Sequence, residues 1–86
     1  MKVTVYSKFD CIYCVRAKEL LTLKGLTFSE HVVGSDITRE EFLKTFPGAK
    51  TVPQIVIDGT RVGGYDQLTE WMKKYDQAKF LTERQD

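Results

Sequence analysis

The sequence predicts one α/β domain over residues 1–86, a three-layer sandwich in which a four-stranded mixed sheet is flanked by helices. Short segments rich in β-branched and aromatic residues alternate with segments whose apolar residues recur at helical spacing. Asp58 and Gly59 form a pair typical of a tight hairpin, which adds an antiparallel strand to the sheet. A chain of 86 residues is long enough for one small hydrophobic core.

The first strand and the first helix are predicted on either side of a short loop. Residues 2–6 have the composition of a strand, and residues 13–24 have helical periodicity that stops at Gly25. Residues 26–33 follow as a second strand. A strand, a crossover helix and a second strand make a βαβ unit, so we expect the two strands to be parallel.

The second half of the chain adds two strands and two or three helices. Thr38 and Glu41 have the spacing of a capping box, and the helix that they begin ends before Pro47. The remaining predicted elements are a strand over residues 54–57, a return strand at Arg61 and Val62, a third helix capped by Asp66, and a weak last helix in the tail over residues 76–86.

The loop after the first strand holds both cysteines of the chain, Cys11 and Cys14. A Cys-x-x-Cys pair at a strand-to-helix junction predicts a thiol redox site. The N-terminal turn of a helix favours negative charge, so we expect a depressed pKa for Cys11. Cys14 shares a helix face with Ala17 and Leu21, which must pack on the sheet. We therefore expect Cys11 to be the attacking nucleophile and Cys14 the more buried, resolving cysteine.

The cysteine pair has two other interpretations. Structural zinc sites normally have four ligands, and His31 is the only obvious further nitrogen ligand in the sequence. The two cysteines can also be ordinary buried apolar residues. The position of the pair at a strand-to-helix junction favours redox chemistry over both, and we expect no metal site.

Composition narrows the class of protein further. The hydrophobic content of 42% and the charged content of 29% are typical of globular domains, and the net charge of +1 provides no general basic field for nucleic acid. No apolar segment is long enough for a signal peptide or a membrane helix. We therefore expect a cytoplasmic monomer that binds neither nucleic acid nor membranes, with a disulfide that is catalytic rather than structural.

Three separated segments carry a family resemblance: Cys11-Ile-Tyr-Cys14, Thr51-Val-Pro53 and Gly63-Gly-Tyr-Asp66. In this order and context they resemble the motifs of glutaredoxins, most closely the bacterial or bacteriophage type, and the similarity extends over residues 1–75. The resemblance implies a thioredoxin-like fold. It also implies a glutathione-dependent thiol–disulfide oxidoreductase that reduces protein disulfides and glutathione mixed disulfides, without a tightly bound cofactor.

The resemblance further implies a glutathione site beside Cys11. Val52 would pair its backbone with the cysteinyl part of glutathione, and Pro53 would follow a cis peptide bond. Lys8 would meet the glycine carboxylate, while backbone N–H groups and the Asp66 carboxylate would meet the γ-glutamyl end. The full set of glutathione-binding residues implied in this way is Lys8, Tyr13, Thr51, Val52, Pro53, Gly64, Tyr65 and Asp66.

The sequence departs from the family pattern at Ile12, where many dithiol glutaredoxins have proline. Among protein partners, the resemblance implies disulfide-containing proteins, with ribonucleotide reductase as one example. Two alternatives stay open at this point: a redoxin recharged by thioredoxin reductase, and a binding module that bridges an iron–sulfur cluster through Cys11 and glutathione in a dimer.

Overall fold

The computed structural model describes residues 1–84, with side chains to residue 78. The elements in chain order are β1 (Val3–Ser7), α1 (Ile12–Leu23), β2 (Ser29–Val32), α2 (Arg39–Thr45), β3 (Gln54–Ile57), β4 (Thr60–Gly63) and α3 (Tyr65–Arg84). The strands form one sheet in the order β2-β1-β3-β4. β1 pairs parallel to β2 and antiparallel to β3, and β4 returns antiparallel to β3. The predicted fold class, a mixed four-stranded sheet flanked by helices, is confirmed.

The alternation of side chains along β1 sends residues to both faces of the sheet. Val3, Val5 and Ser7 are buried on one face. The apolar side chains of this face pack with those of α1 and α3 into the main core, which consists of Val3, Val5, Ala17, Leu21, Ile55, Ile57, Leu68 and Met72. One layer of the sandwich is therefore built by the first and third helices.

α2 covers the opposite face of the sheet through an aromatic cluster. The ring of Tyr6 lies 6.2 Å from that of Phe42 and 4.8 Å from that of Phe46, centroid to centroid. The His31 ring lies against the same tyrosine ring in a tilted arrangement, with a centroid distance of 5.1 Å. This placement supports the structural interpretation of His31 over a catalytic one. The capping box predicted at the start of α2 is present, because Thr38 Oγ1 accepts from the Glu41 N–H at 3.0 Å.

β2 is shorter than predicted. It begins at Ser29, which pairs with Thr4 of β1, rather than at Leu26. Leu26 and Phe28 still contribute to burial, since both pack against the main core before the strand begins. Their apolar character therefore reflects core packing and not strand pairing.

Two predictions about α3 are wrong. The helix begins at Tyr65, and Gly64 takes the N-cap position, because its carbonyl accepts the first helical hydrogen bond from the Leu68 N–H at 3.0 Å. The Gln67 side chain accepts from the Gly64 N–H at 3.0 Å, so Asp66 is not the cap and lies inside the first turn. The separate last helix is instead a continuation of α3 to Arg84, since no Gly or Pro interrupts the sequence after Asp66. Residues 85 and 86 of the predicted tail helix lie outside the described residues.

A polar cluster fastens β1, α1 and β2 together near the cysteine loop. Glu30 Oε2 accepts hydrogen bonds from the buried Ser7 hydroxyl at 2.5 Å and from Lys18 Nζ at 2.8 Å. The hydrogen bond from Lys18, and after it that from Ser7, holds the pKa of Glu30 below its ordinary value. The cluster therefore stabilises the fold while Glu30 is ionised. Within residues 1–84, no helix is long and apolar enough to cross a membrane.

We expect the substitution Glu30→Gln to make the free energy of unfolding less dependent on pH at acid pH. A carboxyl group with a lowered folded-state pKa contributes stability that is complete above its unfolded pKa, about 4.3, and is lost as the pH falls through the folded value. The wild-type free energy of unfolding, measured by urea titration, should therefore decrease faster than that of the variant on going from pH 6 to pH 3.

The matched control is Glu70→Gln, which breaks an exposed i,i+3 pair with Lys73. Exposed pairs of this kind contribute little to stability. Parallel pH profiles for wild type and Glu30→Gln would show that the Glu30 cluster does not stabilise the fold.

Candidate active site

Cys11 occupies the N-cap position of α1. Its backbone is extended, with φ −116° and ψ 105°, and its carbonyl accepts the first helical hydrogen bond from the Val15 N–H at 3.1 Å. Its sulfur accepts from the Cys14 N–H at 3.2 Å. Asp10, in the loop between β1 and α1, has a φ of 57°. This left-handed backbone turns the chain just before Cys11. The first turn of α1 therefore directs a backbone donor at the sulfur, which stabilises negative charge there.

The two cysteines form a disulfide but differ in exposure. Cys14 is 1% exposed and lies on the buried face of α1 with Ala17 and Leu21, as the helical spacing predicted. Cys11 is partly exposed, and the side chain of Ile12 next to it is 59% exposed. An incoming thiol therefore reaches the sulfur of Cys11 far more easily than that of Cys14.

The loop before β3 forms a wall beside the disulfide, and this wall consists of Thr51, Val52 and Pro53. The Val52 carbonyl oxygen lies 3.8 Å from Cys11 Sγ, and the Val52–Pro53 peptide bond is cis, as the family resemblance implied. This distance is within the range in which a thiol at the same position would donate a hydrogen bond to the carbonyl.

A chain of hydrogen bonds, which no sequence motif predicted, supports this wall. Gln54 is 5% exposed, and its Nε2 donates to the Thr51 carbonyl at 3.1 Å. Its Oε1 accepts from Arg61 Nε at 3.2 Å. The Arg61 guanidinium in turn lies 5.2 Å from the ring centroid of Phe46. Gln54 thus connects the wall to β4 and, through Arg61, to Phe46 at the C-cap of α2.

A groove of about 340 Å³ runs from this wall to the start of α3. Seven of the eight residues implied as glutathione ligands line it together with Gln67: Tyr13, Thr51, Val52, Pro53, Gly64, Tyr65 and Asp66. The rings of Tyr13 and Tyr65 lie 5.9 Å apart, centroid to centroid. Gln67 was missed, although a glutamine three residues after a helix N-cap is a pattern that marks a helix start.

Lys8 is the one implied ligand that does not line this groove. It lines a neighbouring depression, which shares Thr51 and Val52 with the groove, and a second one that contains Cys11 and Cys14. Lys8 is therefore near the disulfide but is separated from the residues that begin α3.

This arrangement is suited to thiol–disulfide exchange. The residue Cys11 is partly exposed and its sulfur accepts from a helix N-terminal N–H, whereas Cys14, bonded to it, is buried. In the part of the chain whose side chains are described, no group of three or more His, Cys, Asp or Glu side chains is placed to hold a metal ion.

Comparisons with known proteins agree with this chemistry. The glutaredoxin family model matches residues 3–62. Glutaredoxin 3 of Escherichia coli is 48% identical over 67 residues, which cover 77% of this chain and 80% of that protein. The crystal structure of glutaredoxin 1 from Francisella tularensis, complexed with cacodylate, has a TM-score of 0.75 and 30% identity over 88% of this chain and 96% of its own. A buckwheat glutaredoxin–glutathione complex has a TM-score of 0.73 and 29% identity over 94% and 76% of the two chains. On this evidence the chain belongs to the glutaredoxin family and is a thiol–disulfide oxidoreductase.

Proposed function

We propose that this glutaredoxin takes its electrons from glutathione and passes them to protein disulfides and to glutathione mixed disulfides. The observation that supports the proposal is the groove beside Cys11, which is lined by seven of the residues that the family resemblance implies as glutathione ligands. The family works with glutathione, and a buckwheat relative is described as a glutathione complex. Residues 1–86 would act as one domain and as a monomer.

The difference in exposure between the two cysteines gives the order of the steps. The reduced Cys11 thiolate attacks one sulfur of a protein disulfide and releases the other as a thiol after protonation. Cys14 then attacks the sulfur of Cys11, which releases the second substrate thiol and leaves the Cys11–Cys14 disulfide. A first glutathione thiolate opens this disulfide at Cys11, and a second attacks the bound glutathione sulfur to give glutathione disulfide. Two electrons and two protons pass from two glutathione molecules to the substrate.

The groove and the depression beside it would together provide a partner for each end of glutathione. The Val52 backbone lies beside the reacting sulfur and suits the cysteinyl part. Helix geometry leaves the N–H groups of Tyr65 and Asp66 without intrahelical acceptors, so they suit the γ-glutamyl carboxylate, and the Asp66 carboxylate suits the ammonium. Lys8 would meet the glycine carboxylate from the neighbouring depression.

The proposal also assigns a compartment and protein partners. A disulfide that is reopened in every cycle needs a supply of reduced glutathione, which favours the cytoplasm. Ribonucleotide reductase is one protein-disulfide partner that the family resemblance implies.

The identity of the reductant is tested with the oxidised protein and NADPH. Glutathione with glutathione reductase should consume NADPH rapidly, whereas thioredoxin reductase should consume it slowly, because the proposed site in the groove would bind a small zwitterion rather than a protein surface. A reaction that is fast with thioredoxin reductase and slow with glutathione would overturn the proposal.

The roles of the two cysteines predict different losses of activity. Cys11→Ser should abolish all exchange, because it removes the accessible sulfur. Cys14→Ser should retain exchange with glutathione mixed disulfides, which needs one sulfur, and lose the reduction of most protein disulfides. Alkylation of the reduced protein by iodoacetamide, followed by mass spectrometry, should modify Cys11 well before Cys14. Equal alkylation rates would contradict the assignment.

We expect Gln54→Glu to weaken the reaction with glutathione. The variant keeps an oxygen for Arg61 but replaces the donor to the Thr51 carbonyl by a second acceptor, which loosens the wall. Loss of one hydrogen bond costs about 0.5–1.5 kcal/mol, so kcat/KM for glutathione should decrease by about 2- to 12-fold.

Arg61→Met is the control, since it leaves the bond between Gln54 and Thr51 intact and should change kcat/KM less. Urea unfolding of both variants separates this effect from a general loss of stability. If Gln54→Glu lowers stability but leaves kcat/KM for glutathione unchanged, Gln54 does not position the wall.

A further inference from the structure

A depression of about 550 Å³ lies next to the groove and shares Thr51 and Val52 with it. We call it the basic depression, since its charged lining consists of Lys8, Arg39 and Lys50. The Val52 carbonyl that borders it is 3.8 Å from Cys11 Sγ. A chain attached to Cys11 through a disulfide can therefore enter this depression directly.

The positive charge of the basic depression is a local feature. The whole protein has 13 basic and 12 acidic residues, yet no acidic residue lines the depression. Among residues 1–78, ion pairs form at Lys18, Lys24 and Lys73, but not at the three basic residues of the depression. On the adjoining helix, the side chain of Glu41 is engaged in the capping box with Thr38. The three cations are therefore left to interact with an external anion.

The remainder of the lining is mainly apolar. Val33, Leu43 and Ala49 are only partly covered, and Leu43 is 40% exposed. Phe42 lies beneath them and is 5% exposed. A site for a bare inorganic anion would not need this apolar surface. The combination of cations and apolar side chains fits a segment that contains both carboxylates and apolar residues.

We propose that the basic depression binds an acidic, partly apolar segment of the protein substrate, adjacent to the cysteine that Cys11 attacks. This proposal deepens the proposed reduction of protein disulfides and rests on it. The glycine carboxylate of glutathione would occupy only the end near Lys8, which leaves Arg39 and Lys50 available to a longer partner. Attraction between opposite charges would raise the rate of encounter with such substrates.

The test uses the reduced protein and synthetic peptide disulfides, with no glutathione present. Three peptides share one cysteine pair and have flanking segments that combine Leu with Asp, with Asn or with Lys. Acid quenching and chromatography give the rate of the first exchange. The Asp peptide should react about tenfold faster than the Asn peptide at low ionic strength, and the difference should shrink as salt is added.

The variant that tests the residues is the double substitution Arg39→Glu with Lys50→Glu. Arg39 is the first residue of α2, where a glutamate suits the helix dipole, and Lys50 is an exposed loop residue, so we expect the variant to fold. It should lose the preference for the Asp peptide and keep its rate with the Asn peptide.

The matched control is Lys44→Glu with Lys74→Glu, which has the same net charge but alters residues outside the basic depression. It should retain the preference for the Asp peptide. Equal rates of the wild type with the Asp and Asn peptides would overturn the proposal. An equal loss of preference in the control variant would also overturn it. The same holds if a short RNA inhibits the exchange reaction at lower concentrations than a thiol-free Asp peptide does.

Because glutathione is absent, the peptide result does not depend on which reductant recharges the protein. Failure of glutathione to support NADPH consumption would overturn the proposed reductant, while the peptide preference would be unaffected. The two proposals can therefore fail separately.

Discussion

The hydrogen bond from the Cys14 N–H to the sulfur of Cys11 connects the backbone of α1 to the chemistry of the protein. It requires Cys11 to be extended and to stand at the N-cap, where the first N–H groups of the helix have no intrahelical acceptor. The same helix phase that brings this N–H to Cys11 turns the side chain of Cys14 into the core. The stabilisation of the Cys11 sulfur and the burial of the Cys14 sulfur thus both result from where α1 begins. A shift of the helix start would change both.

The sheet topology explains why the other parts of the site surround this helix start. β1 is central, and its C-terminal end lies beside the start of the antiparallel β3, where Tyr6 pairs with Gln54. The loop after β1 and the loop before β3 therefore meet, which brings Val52 to Cys11. β4 runs back along β3 and ends at Gly63, opposite Ile55, so the start of α3 reaches the same end of the sheet. Segments that are far apart in sequence meet because strands of both directions begin or end there.

Much of the fold and the burial of Cys14 followed from local patterns in the sequence. The spacing of Cys14, Ala17 and Leu21 was sufficient to predict which sulfur is buried, because helix phase is a local property. The predicted start of α3 was wrong, since Asp66 is the better capping residue by propensity, whereas the hydrogen bonds of Gly64 with Leu68 and Gln67 place the cap at Gly64. The wall support and the basic depression depend on tertiary contacts. Gln54 and Arg61 meet across β3 and β4, whose pairing includes a register shift. Lys8, Arg39 and Lys50 come from three separate loops and helix ends. A short sequence motif contains neither kind of information.

The shared wall has a consequence for how the two proposed partners would use the site. Thr51 and Val52 border both the groove and the basic depression, and one sulfur, that of Cys11, lies beside them. A disulfide exchange joins Cys11 to one partner at a time, so glutathione and a protein segment need not be bound together. Each partner would then be recognised by a different set of residues beside Thr51 and Val52. The start of α3 would bind the zwitterionic glutathione, and Arg39 and Lys50 would bind the acidic segment. Sequential exchange would thus allow a site this small to select two chemically different partners.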